Sequence, residues 1–351
     1  MFNKSIVIDN FNIQNYSKPY LIAEISGNHD NEIDRAKKLI LAAKENGFDA
    51  VKIQYFTAND MTLDISEGDF IVKSGLWKDR SLFELYEQGA TPKEWLPNLF
   101  DYAKEIGITL FSSVFSYQGL CILEELGCPA YKIASFEAMD LDLIEAAAKT
   151  LKPVIISTGI IDKVGIEEVL DTCKKVGNRN IGLMHCISNY PAPYDKFNLS
   201  TIADMQQSFE IPIGLSDHSM DEICSLIAIA NGASMIEKHI TVSQKDGAID
   251  SEFSLPISLM KEFTDKLRNG FATIGKVDYS NSSPRKNFRS LYAVKDIPKG
   301  QLITSDMIRS IRPGHGLPPK NKNKVLKCTA KQNINAGTPL DWSLLCQTLK
   351  N

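Results

Sequence analysis

Two short stretches carry the densest set of groups able to do chemistry. They are Gly214-Leu215-Ser216-Asp217-His218-Ser219 and, about twenty residues on, Ile236-Glu237-Lys238-His239. Each begins apolar and ends in side chains that bind metal or move protons. Extended backbone alternates its faces with period two, so Ser216 and His218 share one face, as do Glu237 and His239. If the two runs are neighbouring strands pointing the same way, two imidazoles and a carboxylate meet at one end of a sheet. Two histidines with few further ligands suit a weakly held divalent ion that keeps positions open for water or a substrate oxygen. A single histidine more often sits in a core without a role. Here each is in phase with another polar residue, which favours the metal pair.

Other apolar runs end the same way. Lys52 and Lys132 close two of them. Inward lysines either form a Schiff base or bind an anion, whereas solvated strand-end lysines do neither. Ser113, Ser135, Ser157 and Ser216 add hydroxyl donors. Taken singly each reads as a turn or cap residue. Together with two lysines they describe a cradle for phosphate or carboxylate better than a Schiff-base site. Glu24 ends an earlier run and is a candidate general acid or base, or a holder of water. Asn28-His29 suit the orientation of a loop. Asp250 fits either sugar hydroxyls or a loop cap.

The elements that must position these groups follow a regular rhythm. Short apolar runs predict strands over 20–25, 50–54, 109–114, 130–134, 153–158, 181–186, 211–217 and 235–240. Helix-period segments cover 32–46, 92–106, 117–126, 141–151, 163–176, 199–209, 220–231 and 256–269. Glycines of C-cap type follow several of them, as at Asn46-Gly47 and Ile106-Gly107. The strands are apolar on both faces, as parallel strands covered by helices must be. Eight such units match a (β/α)8 barrel. A doubly wound sheet would gather its polar residues at one switch point. Here they recur at the end of nearly every strand, which favours the closed barrel.

Residues 2–13 alternate weakly and predict a small hairpin. The connection 55–91 is long for a βα loop and reads as a specificity loop or lid. Residues 275–289 form a polar linker. Beyond it, 290–351 is rich in Gly and Pro and predicts a separate compact β-rich domain after the 1–274 barrel.

The chain has 351 residues, 43% of them hydrophobic, enough for a substantial core. A net charge of −4 argues against a general nucleic-acid binder. There is no apolar run of transmembrane length and no signal-peptide pattern at Met1-Phe2-Asn3-Lys4, so no membrane role is expected. The seven cysteines are an odd number without CxxC spacing, and reduced buried thiols in a cytoplasmic protein are the simplest reading.

A larger pattern joins these motifs. Ala23-Glu24-Ile25-Ser26-Gly27-Asn28-His29, Lys52-Ile53-Gln54, Tyr131-Lys132-Ile133-Ala134-Ser135, Ser157-Thr158-Gly159, Gly214–His218, Ile236–His239 and Ile311-Arg312-Pro313-Gly314 together resemble the sialic acid synthase family. The resemblance runs from about residue 11 to 348. It implies a (β/α)8 TIM barrel followed by a small antifreeze-like (SAF) domain that reaches over the partner's barrel in a domain-swapped homodimer. It also implies a transferase that condenses phosphoenolpyruvate with an amino-sugar aldose, releasing phosphate and forming a nine-carbon nonulosonic acid.

By the same resemblance, His218 and His239 hold Mn2+ or Mg2+. Lys52, Ser113, Lys132, Ser135, Ser157 and Ser216 hold phosphoenolpyruvate. Glu24, Gln54, Tyr190, Glu237 and Asp250 lie around the acceptor and the metal, and Arg312 of the other subunit binds the sugar's N-acetyl group. Glu24 is assigned to the water proton and Glu237 to supporting metal-bound water or the developing alkoxide. Asp69–Trp77 and Lys132–Ala138 are similar to the branch that makes pseudaminic acid. Its acceptor is 2,4-diacetamido-2,4,6-trideoxy-L-altrose. Ser188 stands where many members have an acceptor-touching asparagine, which argues against N-acetylmannosamine. The alternatives are a sialic or legionaminic acid synthase, a Schiff-base aldolase and a non-catalytic carbohydrate-binding protein.

Overall fold

Eight parallel strands are predicted from the sequence, and eight form a closed barrel. The computed structural model describes residues 1–280 and 284–347; residues 281–283 of the expected linker and 348–351 of the expected second domain lie outside the described residues. The barrel strands are β1 (Tyr20–Glu24), β2 (Ala50–Tyr55), β3 (Thr109–Val114), β4 (Tyr131–Ile133), β5 (Val154–Ser157), β6 (Ile181–Cys186), β7 (Ile213–Asp217) and β8 (Met235–Thr241). Each pairs in parallel with the next, and β8 pairs with both β7 and β1. The ring therefore has no edge, and this excludes the doubly wound alternative. Its strands are almost entirely buried on both faces because helices cover the outside.

The helices begin and end within a few residues of their expected positions. The clearest shifts are at the helix after β7, which starts only at Ile223, and at the last barrel helix, Ile257–Ile274, which runs past residue 269. The hairpin Ser5–Ile8 and Phe11–Gln14 buries Ile6, Ile8 and Ile13 in the barrel core. It plugs the N-terminal end of the barrel, opposite the polar strand ends. A side chain at Gly182 would come within 3.2 Å of Ile6 and 3.0 Å of Met235, so the hairpin packs closely there and these side chains would have to shift.

The chain divides into two compact units, Met1–Gly275 and Lys276–Asn351. Within the second, Ser290–Ala293 pairs antiparallel with Ile308–Ile311, and Cys328–Ala330 with Leu345–Gln347. These strands enclose a separate core that includes Leu291, Ile308, Val325 and Leu340. All seven cysteines are free; Cys121 and Cys346 are exposed rather than buried as expected, because each lies on the solvent side of its element. Among the described residues no helix is long and apolar enough to cross a membrane.

One polar cluster holds the helix-facing side of the barrel together. Asp217 and Lys238 alternate with the site residues and so face outward, yet both are buried. Lys238 Nζ lies 3.3 Å from Asp217 Oδ2, and donates to the carbonyls of Ser219 (2.5 Å) and Asp221 (3.1 Å). Asp217 accepts from Ser219 N and Ser225 Oγ. The cluster thereby fixes the segment that carries His218. Lys238→Met would leave the Asp217 carboxylate buried without its counter-charge, and is expected to lower unfolding stability in denaturant by about 3–5 kcal/mol. Asp217→Asn with Lys238→Met should cost less than Lys238→Met alone, because no charge is left buried unpaired.

Candidate active site

Strand register assembles the polar ends. Glu24 lies beside Lys52 on one side and His239 on the other. Gln54 is in register with Ser113, Ser113 with Lys132, and Ser216 with Glu237. Lys52 and Lys132 are each only 2% exposed, which rules out solvated strand ends. Lys52 Nζ is ion-paired with Glu24, sits 3.6 Å from Glu237 Oε1 and donates to Ser113 Oγ at 2.9 Å. Lys132 Nζ is 3.8 Å from Glu237 Oε2 and donates to Ser157 Oγ at 2.7 Å. Two lysines, two glutamates and two hydroxyls thus form one buried network.

Each charge is shifted by its surroundings. Burial pushes the Glu24 carboxyl up to about 7, against the pull of Lys52. Burial also opposes ionisation of Glu237, but Lys132 and Lys52 outweigh it and hold that carboxyl below its ordinary value. Burial would lower Lys52, yet Glu237 and Glu24 keep it raised. Burial dominates at Lys132 and lowers it. Lys132 therefore gains most from a further anion arriving beside it.

The histidines meet at the adjoining strand ends, with ring centroids 5.4 Å apart. Nδ1 of His218 donates to the carbonyl of Ile187 at 2.9 Å, which leaves its Nε2 as the lone-pair nitrogen. Nδ1 of His239 is buried with no hydrogen-bond partner. Burial lowers both imidazoles, so both stay neutral, the form that binds metal. Among the described residues no group of three His, Cys, Asp or Glu side chains is set to hold a metal. The pair would supply two ligands and leave the rest to water or substrate oxygen. Ser216 joins the two halves of the site, since its Oγ lies 3.4 Å from His218 Nε2 and donates to Glu237 Oε1 at 3.2 Å.

The remaining candidates of the barrel lie around the same strand ends, and Arg312 belongs to the second unit. Ser135 and Ser188 hydroxyls are 2.9 Å apart. Gly159 lies against them, and a side chain there would come within 2.8 Å of Ser135 Oγ and 2.6 Å of Ser188 Oγ. The Tyr190 ring packs at a tilt against His218, with centroids 4.4 Å apart. Gln54 is half-buried two residues beyond Lys52, on the same strand face. Asp250 accepts a hydrogen bond from Ser26 Oγ, and its backbone N–H bonds to Asn28 Oδ1. Asn28 also donates to the Ile240 carbonyl and to Ser254, so it ties the β1 and β8 loops together as the loop-orienting reading expects. Arg312 is exposed in the second unit, immediately after its strand Ile308–Ile311.

A family model described as the NeuB family matches residues 39–279, and an SAF domain model matches 288–345. The chain belongs to the NeuB family. It is 39% identical to a pseudaminic acid synthase of Helicobacter pylori, covering 92% of this chain and 96% of the relative. Identity to a pseudaminic acid synthase of Campylobacter jejuni is 38%, over 96% and 98%. Among solved structures, an N-acetylneuraminic acid synthetase of Leptospira borgpetersenii superposes with a TM-score of 0.72 at 27% identity, over 80% and 94% of the two chains. A spore coat polysaccharide biosynthesis protein of Bacillus subtilis superposes with a TM-score of 0.67 at 31% identity, over 99% and 100%.

Within this NeuB-family barrel the structure adds residues that spacing alone does not select. Glu137 lies in the turn after β4, its Oε2 buried and unpartnered; burial pushes its carboxyl up to about 7 while Lys132 pulls it down. Phe253 packs 5.1 Å from Tyr190 and 5.2 Å from His239. Neither lies on a strand, so period-two counting passes over both. The position of Glu24 yields a pH prediction. A group raised to about 7 that acts as a base only when ionised loses activity as pH falls through that value, so kcat/KM should be roughly tenfold lower at about pH 6 than at its plateau. A pH–rate profile whose acid limb lies below about pH 5 would contradict the assignment.

Proposed function

We propose that this chain is a pseudaminic acid synthase. It condenses phosphoenolpyruvate with the open-chain aldehyde of 2,4-diacetamido-2,4,6-trideoxy-L-altrose, with C–O cleavage and release of phosphate. The observation that carries this reading is the joining, through Ser216, of a lysine–hydroxyl cradle to a histidine pair at one barrel mouth. The relatives at 38–39% identity over nearly the whole chain support the choice of branch.

In this reading Lys52 and Lys132, with Ser113, Ser135, Ser157 and Ser216, bind the phosphate and carboxylate of phosphoenolpyruvate and orient its enol carbon toward the aldehyde. Gln54, Ser188, Tyr190 and Asp250 orient the sugar. Glu237, kept ionised by both lysines, supports the hydrogen bonds around the developing alkoxide. Glu24 takes the proton of the water that adds to the phosphate-bearing carbon, after which the C–O bond breaks and phosphate leaves. His218 and His239 would hold Mn2+ or Mg2+, consistent with the unpartnered Nδ1 of His239. The ion supplies Lewis acidity toward the aldehyde oxygen.

The barrel would occupy residues 1–274, and 275–289 would link it to the SAF domain at 290–351. Arg312 is assigned to the acceptor in the partner's barrel of a domain-swapped homodimer, and the protein to the cytoplasm.

Incubation with phosphoenolpyruvate and each candidate aldose should give the nine-carbon product mass with the altrose derivative, and EDTA should suppress it. Turnover of N-acetylmannosamine alone would sink the proposal. The lowering of Lys132 would also suit a Schiff-base aldolase; the synthase reading instead expects borohydride with pyruvate to leave no adduct, and a stable adduct would favour the aldolase. Mixing equal amounts of His218→Ala and Arg312→Ala chains should restore about a quarter of wild-type activity if the sites are shared, since half the dimers then hold one intact site. No recovery would mean that each site is built from one chain.

A further inference from the structure

The long loop after β2 is ordered by its own hydrogen bonds. Ile71 and Ser81 bridge antiparallel, Val72 N–H donates to Arg80, and Asp79 N–H donates back to Val72. The tip at Ser74, Gly75 and Leu76 is exposed, but the next residue, Trp77, turns inward and is half-buried. Its Nε1–H donates to the carbonyl of Ile249 at 2.9 Å. Ile249 is itself wedged against Gly27, where a side chain would lie 2.2 Å from Ile249 Cγ2. The indole is therefore anchored to a segment that has little room to shift. Its ring lies 6.1 Å from Tyr190, which packs at a tilt against His218 and against Phe253. Tyr190 and Phe253 thus touch the histidine pair, and Trp77 lies one ring further out, against Tyr190.

We propose that Trp77 is a specificity-determining residue that selects a 6-deoxy acceptor, by packing its ring against the C6 methyl group. This rests on the proposed synthase activity and deepens it. If the aldehyde lies at the histidines, C6 is at the opposite end of the open sugar chain and extends toward the aromatic wall. The single donor of the indole is already committed to Ile249, so the ring offers carbon surface only. A methyl group is buried there favourably. A hydroxymethyl group would lose water without gaining a partner from the indole. An apolar wall discriminates against an added hydroxyl by about 10- to 100-fold.

The test compares kcat/KM for 2,4-diacetamido-2,4,6-trideoxy-L-altrose and for its 6-hydroxy analogue, in wild type, Trp77→Ala and Trp77→Phe. Wild type should prefer the 6-deoxy sugar by about 10- to 100-fold. In Trp77→Ala the preference should collapse toward unity, mainly through a raised KM for the 6-deoxy aldose, with the KM for phosphoenolpyruvate unchanged. Trp77→Phe keeps a ring and loses the bond to Ile249, and should retain most of the preference. An unchanged preference in Trp77→Ala, or its loss in both variants, overturns the role of the ring while leaving the synthase reading intact. A wild-type enzyme that turns over neither sugar, or shows no preference between them, overturns the proposal at its base; the first outcome also removes the synthase reading, and the second does not.

Discussion

The four buried charges of Glu24, Lys52, Lys132 and Glu237 constrain the rest of the barrel mouth. Taking such groups out of water is costly unless each meets an opposite charge or a donor. Here that condition is met by register. Lys52 lies between two carboxylates, Glu237 between two ammonium groups, and Ser113 and Ser157 each accept a hydrogen bond from one lysine. A slip of one residue in any of these strands would turn its charge into the helix layer. Closure of the ring and ionisation of the site are therefore the same constraint seen at two scales.

The outward-facing residues of the last two strands answer a complementary problem. Ser216 and His218 point in, so Asp217 must point out; Glu237 and His239 point in, so Lys238 must. Both outward residues are charged and both are buried, and they pair with each other across the two strands. The pair also captures the carbonyls of Ser219 and Asp221. One ion pair on the helix-facing side thus steadies the histidine that immediately follows β7.

Outside the strands, the site is completed by loops held through specific anchors. Asn28 ties the turn after β1 to the segment around Asp250. Trp77 brings a distant loop onto that same segment. Rigid strands carry the charged groups, while loops carry the aromatic and neutral polar ones. This division suits an enzyme whose anionic substrate is shared across a family and whose sugar is not.

Much of this protein was legible in its residues. Short apolar runs located the strands, period-two counting told which side chains share a face, and helix-period segments with glycine caps separated them. These signals are local, fixed by backbone geometry and by the need to bury apolar surface. The pairing of Glu24 with Lys52, the contact of Ser216 with both His218 and Glu237, and the burial of Lys238 against Asp217 depend on strand order and register. The same holds for Glu137, buried beside Lys132 from a turn, and for Trp77, which crosses from the β2 loop to Ile249. The sequence by itself determined which groups were available and on which face of each element they stood. Only the tertiary structure decided which of them touch, because contacts between residues far apart in the chain are set by the closure of the barrel and not by any local preference.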